Sequence, residues 1–488
     1  MADSDTLITG ESKAGDWRTY ERAILPPIKD LHKIEVYEAQ ADGYKALKDV
    51  VKDGKFDREG LTNEVKASGL KGRGGAGFPT GLKWSFMPPV DPEKPRYLCC
   101  NGDESEPGTY KDRQIFEYNP HLMIEGIALA GYAMTIKACY LYIRGEYDDY
   151  IHHVQRAVDE AYEKGYLGKN ILGTDFSFDL IVHAGAGAYI CGEESSLMNS
   201  LEGKRAYPRI KPPFPAQKGI WGMPTTINNV ETLADVPLIV NRGAEWFAGT
   251  GAEKHPGPVL YGVSGHVVKP GVYEYPTGML LTDLLEAAGG ARGGKKMKAV
   301  VPGGSSTPPL TWEMAQGVTM DGDTLREAGS SMGTGCPCYL DEDTDMVAFT
   351  RRIAHFYHHE SCGQCTPCRD GTGWMEKLLT RIDAGEGYTR DLDLLLDLCD
   401  QMEGRTVCAL ADAAAWPVRW GIRRFRDEFE AKCKPTAFAG TDLAGSGDGH
   451  SLDPATPGVP TADTKTPTSV PGATEVKTDP TITPTGTP

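Results

Sequence analysis

At 488 residues the chain is long enough for two or three domains, and its 51 Lys and Arg against 68 Asp and Glu give a net charge of −17, which argues against nucleic acid or an anionic membrane surface as a partner and suits a solvated protein docking onto other subunits. No apolar run reaches spanning length and the acidic start Met1-Ala2-Asp3-Ser4-Asp5 shows no charged-then-apolar leader, so no direct membrane insertion is expected. Twelve Cys, three of them at metal-like spacing, fit a reducing compartment better than a disulfide framework, and a cytoplasmic location is expected.

The first informative stretch is Gly72-Arg73-Gly74-Gly75-Ala76-Gly77-Phe78-Pro79-Thr80-Gly81-Leu82-Lys83-Trp84. Its dense glycines let backbone N–H groups approach a planar ring or a phosphate, and Arg73 and Lys83 supply positive charge. A merely flexible loop reads the same way, and the Gly-Lys-Ser/Thr ending of a Walker A loop is missing. Arg96–Cys100 then reads as a buried strand. Asn101-Gly102-Asp103-Glu104-Ser105-Glu106-Pro107-Gly108-Thr109 follows it directly and crowds three carboxylates together. On a bare surface this is a solvated acidic loop. Beside a glycine-rich ligand loop it is a set of acceptors for ribose hydroxyls and ring N–H groups.

Pro120–Met134 has helical apolar spacing, Ala138–Arg144 reads as a strand, Tyr147–Lys164 as an amphipathic helix and Phe178–His183 as a further strand. Strands alternating with helices predict an α/β fold with a parallel sheet covered on both faces, and ligands in such sheets bind at loops beyond the strand carboxyl ends. A third loop of that kind is Gly185-Ala186-Gly187-Ala188-Tyr189-Ile190-Cys191-Gly192-Glu193-Glu194-Ser195, which opens a helix over about Glu194–Leu201. Helix N-termini favour phosphate oxygens by about 0.3–1 kcal/mol. Glu193 and Glu194 would repel a phosphate placed there, so their carboxylates are expected to face hydroxyls or a ring. Cys191 is expected to pack rather than react.

Gly262–Glu274 alternates like two strands around the Pro270-Gly271 turn, and Leu280–Ala288 reads as a helix stopped by Gly289-Gly290. The chain after about Asp341 reads as helical. Within it lies His358-His359-Glu360-Ser361-Cys362-Gly363-Gln364-Cys365-Thr366-Pro367-Cys368, whose three thiols recur every third residue. One short turn can aim all three at a point, and an iron–sulfur cubane, which needs four soft thiolates, uses that arrangement. Zinc sites more often split their ligands into two pairs. Thr372 stands where a ferredoxin-like run would place the fourth Cys. Cys408, after a glycine break and before a new helix, is favoured for that place. Cys399 lies on the helical stripe Leu392, Leu395, Cys399, Met402 and reads as core. Cys336 and Cys338, in Cys-Pro-Cys, read as buried small residues at a strand start, with a redox pair or a second metal as the alternative. From about Phe438 the composition turns to Gly, Ser, Thr and Pro, and a disordered tail is expected.

Taken together, Gly72–Trp84, Asn101–Tyr110, Gly185–Glu194, Lys211-Pro212-Pro213-Phe214-Pro215, Asn228-Asn229-Val230-Glu231-Thr232-Leu233, Glu360–Cys368 and Thr406–Asp412 resemble the flavin- and NADH-binding subunit of respiratory complex I, the 51 kDa family. The diaphorase subunits of NAD-linked hydrogenases and formate dehydrogenases are similar; the lack of a long extra N-terminal region favours the complex I form. The resemblance implies a Rossmann-like FMN- and NADH-binding α/β domain at 1–250, a ubiquitin-like β-grasp (SLBB-type) domain at 255–335, a helical [4Fe-4S]-binding domain at 340–435 and the tail at 436–488. It assigns the cluster to Cys362, Cys365, Cys368 and Cys408. It places FMN and NAD(H) among Gly72, Arg73, Gly74, Gly75, Gly77, Phe78, Lys83, Phe86, Asn101, Asp103, Glu104, Glu106, Tyr189, Gly192, Glu193, Glu194, Phe214, Asn228, Asn229 and Thr232. Lys83, Glu104 and Glu106 are its candidate catalytic residues, and Phe78, Phe86 and Phe214 its adenine platform, where stacking contributes roughly 1–3 kcal/mol per base. Two departures stand out: Ser195-Ser196 in place of the more usual Thr-Ala, and Cys336-Pro337-Cys338 where small apolar residues are usual. The implied activity is an NADH dehydrogenase, the electron-input subunit of an NADH:quinone oxidoreductase. NADH passes a hydride to FMN, Lys83 stabilises the reduced ring, Glu194 disfavours NADPH, and electrons pass singly to the cluster. The implied partners are a thioredoxin-like [2Fe-2S] subunit and the large iron–sulfur subunit, in a complex peripheral to the inner face of the cell membrane.

Overall fold

A computed structural model describes residue 8 and residues 10–435; the expected Thr/Pro-rich tail lies outside the described residues. The elements that matter here are, in chain order, α1 (Arg58–Ala67), α2 (Thr80–Ser85), β1 (Tyr97–Gly102), α3 (Asp112–Tyr118), α4 (Pro120–Ala133), β2 (Ala138–Ile143), α5 (Asp148–Glu163), β3 (Asp179–Ala184), α6 (Glu194–Leu201), β4 (Thr225–Asn229) and α7 (Val230–Arg242). There follow β5 (Pro258–Gly265), β6 (Gly271–Pro276), α8 (Leu281–Ala287), β7 (Met297–Val301), β8 (Leu310–Thr311) and β9 (Cys338–Asp341). The last part holds α9 (Met346–Glu360), α10 (Thr366–Asp383), α11 (Thr389–Met402), α12 (Leu410–Arg424) and α13 (Arg426–Ala431).

β1 to β4 form a four-stranded sheet in the order β3-β2-β1-β4, every pair parallel. Parallel strands need crossover helices, and these bury one face: Ile124, Ile127 and Leu129 of α4, Val154 and Val158 of α5 and Leu233 and Ile239 of α7 share a core with Leu98, Cys100 and Leu141. On the opposite face Cys99, Tyr142 and Ile227 pack against Leu197 and Met198 of α6. Because β1 is flanked by β2 on one side and β4 on the other, the order of the strands reverses at β1. The carboxyl ends of β1 and β4 therefore open into a crevice, the usual place for a ligand in such sheets.

The second sheet runs β8-β7-β9-β5-β6. β5 and β6 are an antiparallel hairpin, whereas β9 joins β5 in parallel and β7 in antiparallel register. β9 places the end of this unit at Asp341, beyond the boundary at 335 expected from the sequence. The expected first domain also gives up residues to it. Ala14 and Trp17 lie in the same core as Tyr261, Leu281 and Tyr339, and the N–H groups of Ile24 and Leu25 reach the buried carboxylate of Glu274 at 2.9 and 2.7 Å. A buried carboxylate needs such donors, and local sequence gives no sign of a partner that far away in the chain.

α9 to α13 pack as a helical bundle around Ile353, Tyr357, Met375, Leu379, Leu395, Cys399 and Val418. Among the described residues no helix is long and apolar enough to cross a membrane.

Candidate functional site: a crevice beside four thiols

The glycine-rich loop folds back on itself. Gly72 N–H donates to Phe78 O at 2.9 Å, and Gly75 and Gly77 adopt positive φ of 115° and 63°. Gly74 needs to be glycine for a second reason: a Cβ there would meet Asn229 Cβ at 3.2 Å. Arg73, expected to offer positive charge to a ligand, does not. Its side chain is buried against Asp235 and the carbonyls of Pro256 and Pro258, while its N–H donates to Thr232 Oγ1 at 2.8 Å. Arg73 and Thr232 anchor the loop from behind.

β1 and β4 deliver the next layer. Asn101 Nδ2 donates to Gly192 O at 2.9 Å, tying the loop after β1 to the turn before α6. Asn228 Oδ1 accepts Trp84 Nε1–H at 3.0 Å. Asn229 caps α7 by accepting Glu231 N–H at 3.0 Å and donates from Nδ2 to Asp112 at 2.7 Å. Among the carboxylates, only Asp103 keeps the role of an acceptor at the crevice. It takes the Ser105 hydroxyl, and burial pushes its carboxyl up to about 7 against the opposing pull of Ser105 and Arg144. Glu104 is a correction to the sequence reading. It turns inward, accepts the N–H groups of Lys111 and Asp112 at 2.8 Å each and the Tyr147 hydroxyl at 3.1 Å, and so caps α3. Burial, with Asp112 adding, pushes its carboxyl to about 7 as well.

Glu193 is a second correction. Its Oε2 accepts the N–H groups of Ser195 and Ser196 at 2.8 and 2.9 Å, so the first N–H groups of α6 are already occupied. Glu194 faces the crevice between Lys83 Nζ at 3.0 Å and Lys211 Nζ at 2.5 Å. Burial drives that carboxyl upward, but the two lysines outweigh it and hold it below its ordinary value. Lys211 opens the Lys-Pro-Pro-Phe stretch, so its charge beside a ligand residue is a signal the sequence carries, although sequence reasoning assigns a role only to Phe214. Phe78 and Phe86 stand with ring centroids 6.0 Å apart at the mouth, 43% and 53% exposed. Phe214 is 54% exposed and, among the described residues, shares no ring contact with them.

Glu106 is buried at the back. Oε2 accepts the Tyr189 hydroxyl at 2.6 Å, and Oε1 accepts Ser306 N–H at 2.7 Å and the Ser305 hydroxyl at 3.1 Å. It thus ties the loop after β1 to the turn before α6 and to the second sheet. Sequence reasoning does not mark Ser305 or Ser306, whose proximity depends on the docking of the two sheets.

Comparison with known proteins places this geometry. A family model described as the Nuo51 FMN-binding domain matches residues 65–238, an SLBB domain model matches 260–347, and one described as the NADH-ubiquinone oxidoreductase-F iron-sulfur binding region matches 348–432. The second of two F subunits of NADH-quinone oxidoreductase from Rhizobium meliloti (strain 1021) is 52% identical over 405 residues, covering 83% of this chain and 95% of that protein. The chain belongs to the family of NADH-quinone oxidoreductase F subunits. The F subunit from Rhodobacter capsulatus is 51% identical over 379 residues, 77% of this chain and 88% of that one. Among solved structures, an air-oxidised NAD+-reducing [NiFe]-hydrogenase superposes with a TM-score of 0.72 at 36% identity, over 80% of this chain and 66% of that chain. The cofactors of this family member are accordingly FMN in the first region and a [4Fe-4S] cluster in the last.

The residues present fit both groups. The crevice at the β1/β4 switch point is floored by main chain where Gly74 admits no Cβ, which suits close approach of a flat ring. Cys362 and Cys365 lie between α9 and α10, Cys365 as the N-cap of α10, and Cys408 lies just before α12. Cys362, Cys365, Cys368 and Cys408 all border one apolar core. Val407 N–H donates to Cys365 Sγ at 3.4 Å, as a thiolate ligand would require. Burial, with neighbouring sulfurs adding, pushes Cys368 to about 11 and Cys408 to about 12. Such thiols ionise when metal cations supply compensating charge. Among the described residues no three His, Cys, Asp or Glu side chains surround a point fit for a single ion. The thiols share one neighbourhood at a spacing that suits a polynuclear cluster.

The other cysteines resolve. Cys399 is buried and donates to Ala415 O at 3.4 Å. Cys336 is buried, Cys338 opens β9, and burial raises the Cys191 thiol.

Proposed function

We propose that the chain is the electron-input subunit of an NADH:quinone oxidoreductase, and that its own residues set the geometry and field for the cofactors. When bound, FMN takes a hydride from NADH and releases electrons singly to the [4Fe-4S] cluster. Phe78 and Phe86 offer an apolar platform to the adenine at the mouth, joined by Phe214 across the crevice. Lys83, shared with Glu194, places positive charge where the reduced ring gathers negative charge. Asp103 and Glu106 supply acceptors at the inner wall, while Glu104, Glu193, Arg73 and Thr232 hold the loops that make it. Cys362, Cys365, Cys368 and Cys408 hold the cluster.

One observation carries this reading: Glu193, at the end of the turn that walls the crevice, lies close enough to Cys408 to raise its thiol. Flavin site and cluster thus share a wall. The recipients of the electrons are a thioredoxin-like [2Fe-2S] subunit and the large iron–sulfur subunit, in a complex peripheral to the cytoplasmic face of the membrane. The likeness to the hydrogenase chain suggests a diaphorase role as the second reading, but the extent and identity of the match to the quinone-oxidoreductase relatives favour the first.

Anaerobic NADH titration of the purified, reconstituted chain tests the proposal. NADH is expected to bleach a flavin absorbance band and raise a cluster signal in electron paramagnetic resonance. Failure to retain FMN, or zinc in place of iron, refutes it.

A further inference from the structure

Glu360 is the last residue of α9 and stands two residues before Cys362. Its carboxylate reaches out of its own helix. Oε2 accepts the backbone N–H of Tyr189 at 3.0 Å, and Oε1 lies 3.1 Å from His359 Nδ1. The side chain is only 16% exposed, so the bond to Tyr189 is largely shielded from water. Glu360 also bears on the crevice itself, as one of the charges that raise Asp103.

Tyr189 begins the short turn Tyr189–Gly192, which passes through Glu193 into α6. Gly192 O receives Asn101, and Glu194 meets Lys83, so one side of this segment walls the crevice. On the other side the Tyr189 ring lies edge-on to Phe356 and Tyr357 of α9 at 5.2 and 6.0 Å. Ring contacts permit sliding; a main-chain N–H held by a carboxylate does not. Glu360 is therefore the group that fixes the main chain of the crevice wall to the helix end from which the thiols emerge.

We propose that Glu360 is a positioning residue which, by accepting the Tyr189 N–H, sets the spacing between the flavin crevice and the four thiols, and so governs electron passage to the cluster without taking part in hydride transfer. The inference rests on the function proposed above. Per NADH, one hydride carries in two electrons, NAD+ and one net proton are released, and the two electrons leave singly, each reducing an oxidised cluster that is re-oxidised by an added one-electron acceptor. Reach is what matters here, rather than charge.

Two variants of the reconstituted holoprotein separate the two. Glu360→Gln keeps an acceptor oxygen at the same reach and loses the charge. Glu360→Asp keeps the charge and withdraws the acceptor by one methylene. After rapid anaerobic mixing with NADH, flavin bleaching is followed by absorbance and cluster reduction by freeze-quenched paramagnetic resonance. In Glu360→Asp, cluster reduction is expected to slow about tenfold while bleaching stays within about twofold of the parent, and Glu360→Gln is expected to match the parent in both. Cluster reduction at the parent rate in Glu360→Asp, equal slowing of both steps, or a slow Glu360→Gln beside a normal Glu360→Asp overturns the positioning role. Absence of bleaching in the parent would instead strike at the proposed function. Should Glu360→Asp fail to retain iron, amide exchange at Tyr189 decides. It is expected to be faster in Glu360→Asp than in Glu360→Gln, and equal exchange in the two overturns the proposal.

Discussion

Lys83 and Glu194 form a half-buried ion pair across the mouth of the crevice, Nζ 3.0 Å from Oε2. Lys211 takes the other oxygen of the same carboxylate. One negative charge therefore stands between two positive ones at the place where the ribose and phosphate end of a dinucleotide would lie, and it stays ionised near neutral pH.

That charge bears on the choice between NADH and NADPH. A second phosphate brought near Glu194 meets an ionised carboxylate, and removing the charge leaves Lys83 and Lys211 free to receive it. Glu194→Gln is expected to raise the ratio of kcat/KM for NADPH to that for NADH by about tenfold, with most of the change in KM. Steady-state kinetics with both nucleotides measure this; an unaltered ratio removes Glu194 from the role.

The fourth cluster ligand is tested by two cysteines that are close in sequence and differ in setting. Cys408→Ser is expected to abolish the cluster's paramagnetic signal and lower the iron content while leaving NADH-dependent flavin bleaching. Cys399→Ser is expected to keep iron and signal but to lower unfolding free energy by about 1–3 kcal/mol, since a hydroxyl replaces a buried thiol among apolar side chains. Iron analysis and denaturant unfolding separate the two. Full iron retention in Cys408→Ser would return the fourth place to another residue.

Asp103 and Glu104 give the fold an unusual pH response. Burial raises both carboxyls to about 7, from ordinary values of 3.8 and 4.5. Between those values and about 7 the folded chain binds more protons than the unfolded chain, so this contribution favours folding below the window and is lost as pH rises through it. Asp103→Asn is expected to flatten the fall in Tm across that range, leaving the share due to Glu104. Thermal unfolding of the holoprotein in a pH series at constant ionic strength checks it, and an unchanged slope would show that Asp103 is not among the groups responsible.

Much of the site is legible from residue spacing. Three thiols at every third residue lie on one turn wherever that turn is placed. A glycine loop and acidic and asparagine pairs beyond strand ends converge once the strands are parallel. What spacing does not reveal is which way individual side chains turn. Arg73 and Glu104 look like ligand groups in the sequence because they are charged and stand in ligand loops. In the fold Arg73 finds Asp235, and Glu104 finds the N–H groups of α3. Lys211 and Glu360 escape notice in the sequence for the converse reason: each acts on a partner that only folding brings near.

From the chain alone came the strand–helix alternation, the loops at the strand ends and the thiol set, because propensity, turn chemistry and ligand spacing act over a few residues and survive whatever surrounds them. Tertiary structure settled the membership of Ala14, Trp17 and β9 in the second sheet, the capping roles of Glu104 and Glu193, the two-lysine grip on Glu194 and the bond from Tyr189 to Glu360. Each of these is a question of where a charge or an N–H loses its water. The answer depends on groups far apart in the chain that share one interior.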